Sequence, residues 1–206
     1  MPQCDAYYTH LIFILQLKYL LIYDIMHIMK ISLETIHEFH HKRTQSHIDC
    51  LNYHAGLLGY HFPEHDNDKH SGTMMTGYAY INYGRYHPEF NIPETHRSLF
   101  KEMRDEHHTT QSHHLEHYSD VSEISDITLI EMVCDWFSAS FEQRYLTHED
   151  PDDLSVLKWF NTQLRNNPKY KWSQQQIDLI CSTIDFLEMY ANYDEVIKIW
   201  LPLLSM

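Results

Sequence analysis

The side chains best suited to chemistry are histidines and aspartates, and their order suits a metal site. His65 and Asp66 are adjacent in the sequence FPEHDNDKH, His47 lies upstream, and Asp135 lies downstream in the sequence EMVCDW. Neutral imidazole and carboxylate together favour Mn, Fe, Co, Ni or Zn over Ca. Such an ion acidifies a bound water and polarises a phosphoryl oxygen. The order predicts a site for one or two divalent transition-metal ions, assembled from several helices.

A denser group of histidines lies between the His65–Asp66 pair and Asp135. Residues 107–117 read HHTTQSHHLEH and contain two adjacent pairs of histidines, namely His107, His108, His113 and His114. This density is sufficient to bind a second ion or an anionic leaving group. Two plainer interpretations stay open. A His–Asp dipeptide also arises by chance, and the Asp135 carboxylate could cap a helix or pair with an arginine.

The elements that must position these residues are predicted to be helices. A helix from residue 32 to about 58 begins with Ser32 as its N-cap and carries His47 on one face. No strand-like alternation of any length and no internal repeat is present. The chain is therefore predicted to be all-α, with about six to eight helices. The other helices are expected over residues 95–118 (with a break at Thr109–Thr110), 127–145, 153–166, 174–191 and 193–204.

Two parts of this region are predicted to be irregular or exposed. Residues 60–69 read as a turn that leads into a short helix. Residues 71–95 are interpreted as a long irregular loop with about one helical turn, because they contain Gly72, Gly77, Gly84, Pro88 and Pro93. His40 and His41, beside Lys42 and Arg43, are interpreted as part of a solvated, charged helix face.

Composition and charge restrict the class of protein. The 206 residues are 43% hydrophobic, which is a globular composition, and the formal net charge is −14. That charge disfavours binding to nucleic acid or to an anionic membrane. The four cysteines form no C-x-x-C pair and are expected to be reduced thiols of a cytoplasmic protein.

The most apolar stretch, residues 7–31, is expected to form a helix that packs on the domain formed by residues 32–206. Lys18 and Asp24 would each cost roughly 3 kcal/mol near the centre of a bilayer, so a stable membrane span is not expected. No basic segment precedes the stretch, and no cleavage site of small residues ends it, which argues against a signal peptide. The alternatives are a helix that faces a partner, including a second copy of the chain, and a helix at a membrane surface.

The ordered residues resemble a known superfamily. His47, then His65 and Asp66, then Asp135 resemble the H…HD…D motif of the HD-domain metal-dependent phosphohydrolases. The resemblance implies an HD-domain-like helical bundle in which these four residues hold the first metal ion. It also implies hydrolysis of a phosphoester.

A closer resemblance is to an uncharacterised family of bacteria, phages and large DNA viruses. Its motifs are H-D-x-S-K, H-H-x-x-N-x-H-H-x-E-Y-W and E-M-[IV]-x-D-x-x-A-A-S. This chain has HDNDK, HHTTQSHHLEHY and EMVCDWFSAS at the matching places, with Asp68 for Ser, Gln111 for Asn and Ser138 for Ala. The resemblance covers about residues 45–150 and leaves every proposed ligand in place.

The resemblance also implies roles for the residues around the first ion. His108, with His113 or His114, is expected to bind a second ion or the substrate phosphate. Glu116 is expected to orient a ligand histidine. With His47, His65, Asp66 and Asp135, these histidines complete the predicted ligand set, which holds one or two Mn, Fe, Co, Ni or Zn ions.

The resulting hypothesis is a metal-dependent phosphohydrolase that acts on a small phosphoester such as a nucleotide. Lys69 is expected to pair with a phosphate oxygen, unless its ammonium is simply on the surface, and Glu64 is a candidate general base. The alternatives are a non-catalytic helical protein stabilised by a metal ion and a helical interaction module. The residues expected to act in catalysis are Asp66, Lys69 and Glu64.

Overall fold

The computed structural model describes residues 31–147 and 155–204, and it confirms the all-α prediction. Those residues form seven α-helices and contain no strand. In chain order the helices are α1 (Leu33–Leu57), α2 (Gly72–Tyr86), α3 (Glu94–Thr110), α4 (Asp126–Phe141), α5 (Val156–Trp159), α6 (Gln174–Tyr190) and α7 (Tyr193–Leu204). Short 3-10 turns occur at Asn67–His70, Leu115–His117 and Val121–Glu123, and π-helical turns at Glu142–Leu146 and Phe160–Arg165.

All the predicted site residues lie in the compact unit within residues 37–206. Two predictions fall outside the described residues: the packing of helix 7–31 on the domain and its alternative contact with a second copy of the chain. Within the described ranges, no helix is both long and apolar enough to cross a membrane.

Helix α4 carries Asp135 and is anchored in the hydrophobic core. Ser125 caps it by accepting a hydrogen bond from the Thr128 amide at 3.2 Å. The core cluster joins α4 to Leu51 on α1 and to Ile184 on α6, both fully buried. Each such side chain contributes about 1.5–3 kcal/mol through burial, so the position of α4 is well determined. The apolar stripe of α4 is buried throughout, at Ile130, Val133, Cys134, Phe137 and Phe141.

The prediction of an irregular loop over residues 71–95 is wrong, because residues 72–86 form helix α2. The glycines that suggested a loop permit close packing instead. A Cβ atom on Gly77 would lie 2.5 Å from Cγ of Met103 on α3, and one on Gly84 would lie 2.5 Å from Cδ1 of Ile92. Glycine in a helix interior costs roughly 0.5–1 kcal/mol relative to alanine, and here it allows α3 to approach α2.

The interpretation of a solvated face is wrong for His40 and Arg43, whereas Lys42 is exposed as predicted and His41 is half-buried. His40 is fully buried and the Arg43 side chain is 9% exposed. Arg43 forms a two-pronged ion pair with Glu142, in which Nε donates to Oε1 at 2.7 Å and Nη2 donates to Oε2. The Tyr86 hydroxyl donates to the same carboxylate at 2.9 Å. This buried network joins α1, α2 and the end of α4.

Candidate metal centre

Side chains from four segments of the chain converge on the Asp66 carboxylate. The Oδ1 atom of Asp66 lies 3.1 Å from Nε2 of His107, 3.5 Å from Nε2 of His113 and 3.9 Å from Nε2 of His65. His107 belongs to the last turn of α3, and His113 follows that helix. Asp66 is 1% exposed and His107 is fully buried, so these contacts are shielded from solvent.

The other side of Asp66 faces α1 and α4. Nε2 of His47 lies 2.9 Å from Oδ1 of Asp135 and 3.8 Å from Oδ2 of Asp66. Nε2 of His65 lies 3.7 Å from Oδ1 of Asp135. The fold therefore brings together the four residues that the superfamily resemblance assigns to a first ion. With His107 and His113, these residues are called the central cluster: His47, His65, Asp66, His107, His113 and Asp135.

Two further carboxylates set the orientation of the imidazole rings. Nδ1 of His65 lies 3.0 Å from Oε1 of Glu131, and Nδ1 of His107 lies 2.7 Å from Oδ2 of Asp68. A ring that donates its Nδ1 hydrogen to a carboxylate presents an Nε2 lone pair on its opposite side. Metal-binding histidines are held in this way by a carboxylate or a carbonyl group.

The unpaired polar atoms of the central cluster fit a metal ion. Within the described residues, Nε2 of His65, His107 and His113 and Oδ1 of Asp66 are buried without a hydrogen-bond partner. Buried polar atoms are nearly always paired, so a group of unpaired polar atoms that face one another is a candidate site for a ligand. Imidazole nitrogens with carboxylate oxygens suit a first-row transition metal. Four sets of three residues in and around the central cluster have ligand atoms within 4.8 Å of one another: His47, His65 and Asp135; Asp66, Asp68 and His107; His65, His113 and Glu131; and His107, His113 and His114.

The negative charges of Asp66 and Asp135 in the central cluster favour the binding of a cation. Burial would raise the pKa of Asp66, but the Lys69 ammonium and His65 outweigh burial and hold this pKa well below its usual range. Burial would likewise raise the pKa of Asp135, but His47 and His65 hold it well below the usual range. Both carboxylates are therefore ionised at neutral pH, as a metal ligand must be.

Binding of an ion should release a proton from His65. Burial would lower the pKa of this imidazole, but Asp66, Asp135 and Glu131 raise it to about 10 in the ion-free protein. At neutral pH the ring is then protonated, and an ion must displace that proton. We expect the apparent affinity for Zn²⁺ to fall as the pH falls below about 10. Calorimetry in buffers of different ionisation enthalpy measures the released proton, and a buffer-independent heat would contradict the expectation.

The backbone at Asp66 is unusual, and two buried hydrogen bonds of His40 support the turn that contains it. Asp66 has φ +56°, the one positive φ of a non-glycine residue in the described ranges. In the following 3-10 turn, the Lys69 carbonyl accepts a hydrogen bond from Nε2 of His40 at 2.9 Å. Nδ1 of His40 in turn accepts one from the Asn82 amide at 2.9 Å. The Asn82 donor fixes the His40 tautomer, so α1 and α2 together hold the turn that carries Asp66.

The predicted catalytic residues Lys69 and Glu64 lie in different environments. Lys69 is 8% exposed, and its ammonium donates to Oδ2 of Asp66 at 2.7 Å while it lies 4.9 Å from the centre of the Tyr78 ring. The alternative of a surface ammonium is therefore wrong. Glu64 is exposed, and its carboxylate accepts a hydrogen bond from the side-chain amide of Asn67 at 3.0 Å.

The remaining predicted ligands lie farther out. The structure brings His107, rather than His108, to Asp66. The ring of His108 stacks on that of His114 with 4.1 Å between the ring centres, and its Nδ1 lies 3.7 Å from Oε2 of Glu116. These three residues are called the outer cluster: His108, His114 and Glu116. Glu116 therefore contacts His108, and not a histidine of the central cluster.

Four functional candidates were missed by the sequence reasoning, namely Glu131, Asp68, His40 and Asn82, and His108 was assigned as a ligand in preference to His107. For Glu131 a signal was present, since it lies one helical turn before Asp135 and so shares its face of α4. Which of His107 and His108 faces Asp66 depends on the rotation of α3 about its own axis. The spacing of residues alone does not define that rotation. His40 and Asn82 lie on helices whose packing was misjudged.

Replacing Glu131 with Gln should weaken metal binding by about 10–100-fold, the usual cost of losing an outer-shell carboxylate. The amide keeps the size of the side chain but removes the negative charge that holds Nδ1–H of His65. Competition with a fluorescent chelator measures the affinity for Zn²⁺. Glu102→Gln, at an exposed position of α3, is the control and should bind as the wild type does. Equal affinity in all three proteins would refute this role for Glu131.

An all-α fold with a buried cluster of histidines and carboxylates defines a helical protein with a candidate metal centre. Residues 36–189 match the family described as "Family of unknown function (DUF5662)". The chain belongs to this family. No curated protein and no solved structure matches the chain. Membership of an uncharacterised family is thus confirmed, while nothing in these comparisons supports membership of the HD-domain superfamily.

Proposed function

We propose that the protein is a metal-dependent phosphohydrolase that acts on a small phosphoester, with nucleotides as the first compounds to test. The observation that carries the proposal is the central cluster, in which unpaired imidazole nitrogens face a buried, ionised aspartate. Its composition favours Mn, Fe, Co, Ni or Zn. The family itself assigns no reaction.

The central cluster offers ligands for two ions. His47, His65, Asp66 and Asp135 would hold the first, and His107 and His113 would hold a second with Oδ1 of Asp66. A bound ion of this kind supplies an acidified water and polarises a phosphoryl oxygen. Two such ions, sharing one carboxylate, are a common arrangement for phosphate chemistry.

A cavity beside the central cluster provides room for a substrate. It has a volume of about 240 Å³, and its lining includes His65, His113, Phe62, Glu64 and Gln111. A cavity of this size suits a small ester rather than a polymer. The net charge of −14 also disfavours a long polyanion.

The chain's own residues have distinct tasks under this proposal. Lys69 keeps Asp66 ionised and is the donor we assign to a phosphate oxygen. Glu64 borders the same cavity as His65, and this position supports its proposed role as the base that accepts a proton from an attacking water. Glu131 is a positioning residue, because it acts through Nδ1 of His65.

The second candidate is a metal ion that stabilises the fold without catalysis. Its supporting observation is the depth of the central cluster, since Asp66 is 1% exposed and His65 is 3% exposed. In that case protein ligands would saturate the ion, as in closed structural sites. The two candidates differ in whether a bound ion supports turnover.

A screen of phosphoesters separates these candidates. The protein is loaded in turn with Mn, Fe, Co, Ni and Zn and incubated with mononucleotides and small phosphomonoesters, and released phosphate is measured. We expect turnover by the wild type, loss of turnover in His65→Ala, and full turnover in the exposed control His117→Ala. Bound metal without turnover of any ester would leave the structural candidate. Full activity in His65→Ala would refute the proposed site.

A further inference from the structure

The two histidine pairs that follow one another in the chain face in different directions. The inner member of each pair, His107 and His113, lies against Oδ1 of Asp66. The outer members, His108 and His114, stack on each other, and the His114 ring also contacts the rings of His107 and His113. Adjacent residues on a helix point about 100° apart, so His107 and His108 in the last turn of α3 supply ligands to two different places. His108 and His114 therefore do not repeat the contact that His107 and His113 make with Asp66.

The outer cluster brings together the ligand types of a further ion site. The rings of His108 and His114 stack nearly parallel, at 16°, with their centres 4.1 Å apart, so one ring must turn for both lone pairs to reach the same ion. One ligand atom from each of His108, His114 and Glu116 lies within 4.8 Å of the others. Within the described residues, Nε2 of His114 is buried and has no hydrogen-bond partner. An unpaired imidazole nitrogen beside a second imidazole and a carboxylate is a typical set of metal ligands.

We propose that the outer cluster binds its own divalent transition-metal ion, in addition to any ion in the central cluster. Two imidazoles and one carboxylate supply three protein ligands and leave a position open for water. The negative charge of Glu116 selects a cation over a phosphate group. A phosphate-binding role for His108 is for this reason disfavoured.

The ion at the outer cluster should exchange faster than an ion at the central cluster. The His108 side chain is 30% exposed and that of Glu116 is 46% exposed, whereas His107 is fully buried. Solvent and chelators therefore reach the outer ligands directly. One ligand atom of His114 also lies within 4.8 Å of ligand atoms of His107 and His113, so His108 and Glu116 are the residues that distinguish the outer ion from an ion in the central cluster.

Zn²⁺ stoichiometry tests this inference. The full chain is equilibrated with excess Zn²⁺, separated from free metal by gel filtration, and analysed for metal by mass spectrometry. We expect His108→Ala and Glu116→Gln each to bind one ion fewer per chain than the wild type. The matched control His117→Ala, an exposed histidine next to Glu116, should bind as many ions as the wild type.

The variants also distinguish this inference from the proposed function. In His65→Ala, which disrupts the central cluster, the outer ion should remain, and a brief chelator wash should remove it. Equal stoichiometry in wild type, His108→Ala and Glu116→Gln would overturn the outer site, whatever the result at the central cluster. If His65→Ala binds as many ions as the wild type while His108→Ala loses one, the outer site stands and the central metal centre fails.

Discussion

Replacing Asp66 with Asn should remove both metal-dependent stabilisation and phosphoester turnover. An ion at 100 times its dissociation constant stabilises a folded protein by about 2.7 kcal/mol, and this gain should be lost. Turnover should fall by at least about a hundredfold, which is the upper range for losing even an outer-shell partner. The reason is that Asp66 is the carboxylate on which His65, His107 and His113 converge.

Asparagine is the informative replacement at this position. It has nearly the same shape, and like aspartate it tolerates the positive φ of +56° found at Asp66. The variant should be less stable even without metal, because the buried Lys69 ammonium loses its charged partner. Thermal unfolding is therefore compared with and without Zn²⁺ for each protein. Asp49→Asn, exposed on α1, is the control and should keep the full metal-induced shift. An unchanged shift in Asp66→Asn would contradict the role of Asp66.

Replacing Glu142 with Gln should destabilise the protein by about 3–5 kcal/mol, because it leaves the Arg43 charge buried without a compensating charge. The Glu142 side chain is 4% exposed and that of Arg43 is 9% exposed. His47 follows Arg43 by one turn of α1, and Asp135 precedes Glu142 by two turns, so the pair also holds two elements of the central cluster together. Urea denaturation of the ion-free protein measures the free energy of unfolding. A loss below about 1 kcal/mol, as for an exposed pair, would contradict the prediction.

The effect of Glu142→Gln should depend on pH. Burial would raise the pKa of Glu142, but Arg43 outweighs burial and holds the pKa below its ordinary value of about 4.3. A depressed pKa contributes stability above the unfolded-state value, and that contribution is lost as the pH falls through the folded-state value. The difference between wild type and variant should therefore shrink below about pH 4. Glu38→Gln, which alters the exposed Glu38–Lys42 pair, should show little change at any pH.

Local patterns in the sequence were sufficient for most of the fold. Ser32 was predicted to begin α1, and its hydroxyl accepts a hydrogen bond from the backbone N–H of Thr35 at 3.0 Å, as an N-cap does. The apolar stripe of α4 and the break after Thr110 were likewise readable from spacing. Helix α2 could not be predicted in this way, because Gly77 is needed there to leave room for the Met103 side chain of α3. Such a contact is a property of the packed structure, and a single stretch of sequence does not contain it.

A similar part of the candidate site could be predicted from the sequence. The order of His47, His65, Asp66 and Asp135 indicated which residues would meet, and the fold places them side by side. That they bind a metal ion stays a prediction. The burial of His40 against the Lys69 carbonyl could not be foreseen, since it joins positions 29 residues apart on separate elements.

The metal content of the central cluster is the most direct test of the account. The wild-type protein and the variant Asp66→Asn are each equilibrated with Zn²⁺, washed briefly with a chelator to remove exposed ions, and analysed by mass spectrometry. The account predicts at least one retained ion per chain in the wild type and none in the variant. No retained ion in the wild type, or equal retention in both proteins, would contradict it.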